Sequence, residues 1–313
     1  MVALDAAATA LEGKPPRMKR SDFRFLDRLR VRWAEVDLQK IVFNGHYLMY
    51  FDTAVAGYWR ALALPYHETM AQLQGDLFVR KATVEYLASA RYDEQLAVGI
   101  RCARIGNSSL TFAAAVFRGQ QRLVHGELVY VFADPATQRS RPVPAALRQL
   151  FEAFEAGQPV FDVHTGNWAT LGAEVRGIRQ AVFGDEHHVA ADLMVDESDG
   201  TAVHALARNR FGLALASGRL LAVAPGVAKV DRMATLASVR GGKLGRAVLA
   251  ALMEVARQRG DHEVVLMAPD TAVAFYDQLG FERQGAAVEQ AGLPHQKMRK
   301  TLQPRQAAAA GKQ

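Results

Sequence analysis

Apolar residues in the first half of the chain switch from a strand period to a helical one and back. Tyr47, Phe51, Val55, Tyr58 and Leu62 recur at three- and four-residue spacing, which places them on one face of a helix predicted over 45–63. Leu64-Pro65 ends that helix, because proline has no backbone N–H to donate. Ahead of it, 23–33 reads as a strand, and behind it strand patterns occupy 77–87, 95–104, 108–117 and 122–132. The separators Tyr92-Asp-Glu, Ile105-Gly-Asn and Gly119-Gln-Gln are short, so these strands are expected to form antiparallel hairpins. A lone helix and an antiparallel sheet have no other element to cover their apolar faces and are expected to bury each other. Pro142 and Pro144 then introduce a closing helix to about 156.

The second half alternates differently. Helices are predicted at 168–182 and 245–259, strands at 202–209, 211–216, 227–236 and 263–268, and a short helix at 271–279 before Gly280-Phe281. This is a mixed α/β pattern, with no repeat relating it to the first half. Gly157-Gln-Pro and Thr165-Gly-Asn carry the turn signals of a linker. The expected organisation is α+β overall: a first domain over 21–158, a second over 163–301, and aperiodic, disordered tails at 1–20 and 302–313.

Length agrees with two domains, since 313 residues exceed the roughly 250 at which single cores stop growing. Half of the residues are hydrophobic and 22% are charged, enough apolar side chain to fill two cores. The net charge of +6 is spread over both halves and lacks the basic stripe of a nucleic-acid-binding module. It suits a polyanionic small molecule and equally suits no ligand. No stretch approaches the roughly 20 apolar residues of a membrane span, and no apolar run follows a basic one at the N-terminus. The single cysteine, Cys102, cannot form an internal disulfide, so a reducing, cytoplasmic setting is expected. Its alternation with Leu96, Val98 and Ile100 reads as a buried strand position. No His, Cys or carboxylate group has ligand spacing, and Glu186-His187-His188 reads as a solvated loop, so no metal is expected.

Two segments carry chemistry. The first runs from Arg32 to Leu48, joins a strand to the long helix, and places Asp37 in the loop that faces the helix start. A helix N-terminus offers unpaired N–H groups and partial positive charge, which can polarise a thioester carbonyl and hold the oxyanion that develops. Asp37 is then placed to attack the carbonyl or to activate water. The alternative is an ordinary turn aspartate and a solvated histidine, His46, at a helix start.

This segment resembles the 4-hydroxybenzoyl-CoA thioesterase family of hotdog proteins over roughly 22–150. The resemblance rests on Arg32, Asp37, Val42-Phe43-Asn44-Gly45-His46-Tyr47-Leu48, Phe51 and Gly106-Asn107-Ser108-Ser109. It implies a hotdog domain, an antiparallel sheet around a central helix, with Asp37 catalytic and backbone donors from Gly45 to Tyr47, and makes His46 a further catalytic candidate. It also implies an acyl-CoA substrate and an active site shared within a homodimer or homotetramer. The chain departs from the family at Gln39-Lys40, where many relatives carry a small residue, and at Asn44 and His46, where they carry a His or Asn pair.

The second segment, Val230 to Leu249, reads as strand, glycine-rich loop and helix, a shape that lets backbone approach a pyrophosphate at a helix start. Alone it is also an ordinary tight turn. It resembles the acetyl-CoA-binding motif of GNAT acyltransferases, Arg/Gln-x-x-Gly-x-Gly/Ala, within a resemblance covering about 163–300. Supporting pieces are Arg176 to Val189, Asp196 to His204, Gly218-Arg-Leu-Leu221, Ala272 to Phe281 and Gly292 to Met298.

By that resemblance Met233, Ala234 and Thr235 would pair with the pantetheine arm of acetyl-CoA. Arg240, Gly241, Gly242, Lys243, Leu244, Gly245 and Arg246 would hold its pyrophosphate, and Tyr276 would protonate the departing thiolate. Lys243 stands where the motif has its first glycine. Asp231, Glu186 and His204 are the candidate bases for an amine acceptor. Together the two halves point to an acyl-CoA thioesterase fused to an N-acyltransferase. The alternative is an N-acetyltransferase whose first domain serves only for dimerisation or acyl-CoA sensing.

Overall fold

The computed structural model of the chain describes residues 18–290 and 293–303. Its contacts divide the chain into two compact units. One takes the chain up to Tyr58 together with Gln74–Pro144; the other takes Trp59–Leu73 together with the chain from Ala145 onward.

The first unit is a five-stranded antiparallel sheet and a helix. The strands are β1 (Phe25–Arg30), β2 (Asp76–Tyr86), β3 (Gln95–Ile105), β4 (Ser109–Arg118) and β5 (Gln121–Ala133), in the order β1-β3-β4-β5-β2. Helix α1 (His46–Ala61) lies across one face of this sheet. Tyr58 meets Phe25 of β1 and Phe112 of β4 edge to face, each at 5.8 Å between ring centres. Phe51 lies over Gly126 of β5, where an added Cβ would come 2.2 Å from the Thr83 carbonyl oxygen, so this contact admits only glycine. The helix and antiparallel sheet expected from the pattern do bury each other, in the hotdog arrangement that the resemblance implies.

The opposite face is covered near its middle by the segment ahead of β1. Phe23 packs edge to face on Phe117 at 5.7 Å and joins a cluster with Ala97 and Ala115. Cys102 lies in β3, as its alternation predicts, but beside a bulge between Cys102 and Arg104 that leaves it only partly buried.

The second unit includes α2 (Tyr66–Leu73), α3 (Ala145–Glu155) and a seven-stranded sheet. Contacts therefore assign α3, read from sequence as closing the first half, to this unit. Its strands are β6 (Phe161–Gly166), β7 (Val203–Asn209), β8 (Ala214–Ala224), β9 (Val227–Thr235), β10 (Glu263–Pro269), β11 (Glu282–Gln290) and β12 (Leu293–Thr301). They lie in the order β11-β12-β10-β9-β8-β7-β6, antiparallel throughout except for β9 and β10.

Four further helices complete the unit: α4 (Trp168–Arg179), the one-turn α5 (Ala191–Met194), α6 (Leu244–Arg259) and α7 (Asp270–Asp277). Leu171, Val175 and Ile178 of α4 bury themselves against Leu206 and Ala234 on one sheet face. A Cβ at Gly218, which points to the other face, would meet Val248 and Leu252 of α6 at 3.0 Å, so α6 covers that side. A π-helical turn, Gln180–Glu186, continues α4. No helix among the described residues is long and apolar enough to cross a membrane.

Candidate functional site

In the first unit the chain leaves β1, makes a tight hairpin-like loop and enters α1. The loop is closed by an antiparallel bridge between Val36 and Val42, by Asp37 N–H donating to the Ile41 carbonyl at 2.9 Å, and by Lys40 N–H donating to the Asp37 carbonyl at 2.9 Å. The Asp37 carboxylate accepts from the Gln39 N–H at 2.8 Å, so it orders its own turn as well as facing outward. It lines a cavity of about 320 Å³ with Val42, Phe43, Asn44, Tyr47 and Tyr86.

Sequence-selected Asp37 and Tyr47 therefore meet on one cavity. Gly45 and His46 do not line it; the His46 ring lies edge-on to Phe43 at 6.0 Å. The His46 and Tyr47 N–H groups are engaged by the Phe43 and Asn44 carbonyls, at 3.0 and 3.3 Å. Tyr47 is buried, and its hydroxyl accepts from Ala90 N–H at 2.9 Å; burial pushes the phenol above its ordinary pKa. Tyr86, which sequence reading did not select, donates its hydroxyl to the Asn44 carbonyl at 3.1 Å and forms a cavity wall.

A second missed residue is Glu35, buried two positions before Asp37. Its carboxylate accepts from the Arg32 N–H at 2.7 Å, from Arg32 Nε at 2.9 Å and from the Tyr50 hydroxyl of α1 at 2.7 Å. Burial pushes this carboxyl up, but the bonds from Arg32 and Tyr50 outweigh it and hold it below the usual range. Burial and the bond to Glu35 push the Tyr50 phenol far above its ordinary value.

In the second unit, β9 pairs with β10 only from Val227 to Lys229, and the strands then diverge. A bulge in β9 against β8, with Arg232 at φ 51°, turns Met233 toward the α6 face, while Ala234 packs in the α4 cluster. Beyond β9 the glycine-rich loop runs into α6. Gly241 has φ +86°, and Lys243 precedes the first helical residue, Leu244, in the left-handed conformation, φ 68° and ψ 7°. That is the conformation a glycine adopts freely and a lysine at a cost of about 1 kcal/mol. Gly245 lies beside Thr235, where a Cβ would come 3.3 Å from the threonine hydroxyl, and Arg246 is exposed one residue on.

Arg240 donates its Nε to the Thr235 carbonyl at 3.0 Å and both Nη atoms to Glu186, at 2.6 and 2.5 Å. Those bonds hold the Glu186 carboxyl below its ordinary value. Tyr276 of α7 is buried between Phe275 and Phe281, at 5.0 and 5.6 Å, and burial pushes its phenol up to about 12.

The three candidate bases all have other partners. Glu186 holds Arg240, and Asp231 accepts from Arg219 at 2.7 and 3.0 Å. His204 is fully buried with Nε2 at 3.0 Å from the Asp199 carbonyl, and burial lowers its pKa. Asp199 in turn joins Asp196, Arg179 and Arg219 in a buried ionic network that sequence reading quoted only as part of a motif. Among the described residues no group of three or more His, Cys, Asp or Glu side chains could hold a metal ion. Gly292 lies outside the described residues.

Comparisons with known proteins fall on the same two segments. Residues 39–125 match the model of the thioesterase superfamily, and residues 185–302 match the acetyltransferase (GNAT) domain model. The chain is similar to the acyl-CoA thioester hydrolase YbgC of Escherichia coli O6:H1, 26% identical over 125 residues, covering 40% of this chain and 92% of that one. It is also similar to the uncharacterized protein YyaT of Bacillus subtilis, 28% identical over 132 residues, 41% of this chain and 88% of that one. Among solved structures, the hypothetical protein SAV2348 from Staphylococcus aureus, in complex with CoA, is 16% identical with a TM-score of 0.40, covering 43% of this chain and 85% of that one.

Proposed function

We propose that this chain, with a thioesterase-superfamily domain followed by a GNAT domain, hydrolyses acyl-CoA in the first and transfers an acetyl group from acetyl-CoA to an amine in the second. The observation that carries the first half is the position of Asp37 on a cavity that Asn44 and Tyr47, at the entry to α1, also line. In this reading a thioester carbonyl points toward the helix start, where the dipole of α1 favours the growing negative charge. Asp37 removes a proton from water as the water oxygen bonds to the carbonyl carbon. The tetrahedral intermediate then collapses, the C–S bond breaks, and the thiolate of CoA takes up the proton, leaving free acid.

Self-association fits the same unit. β2 is an edge strand, and Phe78 and Val79 on it are exposed, the kind of edge that pairs with another copy. We propose a cytoplasmic homodimer or homotetramer built through this domain. In the second domain the splayed β9 edge at Met233 to Thr235 would take the pantetheine arm. The loop from Arg240 to Arg246 would take the pyrophosphate, and Tyr276 would donate a proton to the leaving thiolate.

The test is free-thiol release from short, long and aromatic acyl-CoAs by the unmutated protein and by Asp37→Asn. Hydrolysis that disappears in the variant is the expected result. Turnover of none by either protein would instead favour an N-acetyltransferase whose first domain only dimerises or senses acyl-CoA.

A further inference from the structure

Glu35 ties together the two sides of the cavity described above. Its side chain reaches α1 through the Tyr50 hydroxyl at 2.7 Å, one turn beyond the helix start. Its own carbonyl accepts from Phe43 N–H at 2.9 Å, on the return arm of the loop that leads into that helix. Two residues on is Asp37, held by the Val36–Val42 bridge that Glu35 immediately precedes. Arg32, at the start of the loop, closes the remaining valences of the carboxylate from its N–H and Nε. Strand exit, return arm and helix therefore share one buried side chain.

We infer that Glu35, through Tyr50, is a positioning residue that sets the distance between the Asp37 carboxylate and the start of α1. This rests on the thioesterase reading. Catalysis by a carboxylate on one side of a carbonyl and amides on the other depends on their separation, and small misplacements are costly in rate. Substrate binding, by contrast, draws on the cavity walls Val42, Phe43 and Tyr86, whereas the Glu35 carboxylate is bonded by Arg32 and Tyr50. Loosening this tie should therefore slow turnover and leave binding nearly intact.

Glutamine at 35 keeps the shape but has one acceptor oxygen where the carboxylate has two, so it cannot hold the Arg32 N–H and the Tyr50 hydroxyl on one oxygen and Arg32 Nε on the other. Tyr50→Phe removes one oxygen atom at the other end of the same bond. The two substitutions share the Glu35–Tyr50 bond, so the loss in the double variant should be smaller than the product of the two single losses.

The experiment uses the full chain in five forms: unmutated, Glu35→Gln, Tyr50→Phe, the double variant and Asp37→Asn. Steady-state hydrolysis of hexanoyl-CoA and benzoyl-CoA gives kcat and KM. Titration with the unreactive thioether analogue of hexanoyl-CoA counts intact sites, so that kcat is expressed per folded site. The expected result is a fall in kcat of about tenfold or more in each single variant, with KM within about threefold and a loss in the double variant below the product of the single losses. Unchanged kcat in Glu35→Gln and Tyr50→Phe, where Asp37→Asn is dead, overturns the positioning role alone; so do losses confined to KM or losses that multiply in the double variant. An unmutated protein that hydrolyses neither thioester, or an Asp37→Asn variant at full rate, overturns the thioesterase reading and this role with it. Should Glu35→Gln bind no analogue, Tyr50→Phe decides.

Discussion

The guanidinium of Arg240 grips the carboxylate of Glu186 with both Nη atoms, at 2.6 and 2.5 Å, while its Nε holds the carbonyl at the end of β9. A pyrophosphate bound in the adjoining loop, as proposed, would have to compete with Glu186 for that cation. Glu186→Gln is therefore expected to tighten acetyl-CoA binding severalfold, and Arg240→Ala to weaken it, as measured by calorimetric titration at low ionic strength. Equal affinity in all three proteins would remove Arg240 from the phosphate site.

Lys243 is expected to be a local weakness in stability. Lys243→Gly relieves its left-handed conformation and should raise the unfolding free energy by about 1 kcal/mol in urea titrations. If its ammonium also pairs with phosphate, the same variant loses acetyl-CoA affinity while it gains stability. The two readouts separate the backbone effect from the charge.

The network around Asp199 should dominate the acid response of the second unit. Burial raises the Asp199 carboxyl, but bonds from Arg179, the Asp196 amide and the neighbouring arginine charges outweigh it and hold it low; the Asp196 carboxyl is depressed chiefly by Arg219. A depressed carboxylate stabilises the fold fully above about pH 4, its unfolded value, and less as pH falls through the folded value. Asp199→Asn leaves buried Arg179 without its partner and should cost about 3–5 kcal/mol at pH 7. Urea unfolding should show that gap narrowing from pH 7 to pH 2. A gap independent of pH would mean that packing, not charge, is lost.

Tyr276→Phe should leave acetyl-CoA affinity unchanged and slow acetyl transfer about a hundredfold, assayed over a panel of amines. With its phenol pushed up to about 12, Tyr276 stays protonated through the working range, so the unmutated protein should show no loss of rate from this group below about pH 11. A variant at full speed would leave Tyr276 as packing for Phe275 and Phe281.

Much of this architecture is written in residue spacing. The strands of the first unit are apolar-rich runs set off by short turn signals, and α1 keeps its apolar face at helical period, so both are legible before any coordinates. The strand predicted over 211–216 runs instead from Ala214 to Ala224 as β8; Gly218 within it admits Met233, whose sulfur would lie 2.4 Å from an added Cβ. Strands β11 and β12 went unread because their charged and amide residues, such as Glu282, Arg283, Gln284 and Lys297, give little apolar alternation at the margin of the sheet. Helix α2 was hidden by Pro65, read only as the stop of one helix when it also precedes the start of the next. Asp37 was visible from its place before the helix. Glu35 was not, because a second carboxylate in a short loop looks solvated until the fold brings Tyr50 to it.

Strand β9 has a neighbour on one side along its whole length but on the other only as far as Lys229. Past that point, the amides that face away from β8 have no ladder to protect them, and they should exchange their hydrogens with heavy water quickly in the free protein. A ligand that lies in the gap as an added strand would slow those few positions and no others. Isotope uptake at Asp231 to Thr235 would thus report occupancy by acetyl-CoA even while the acceptor amine is unidentified and no product can be followed.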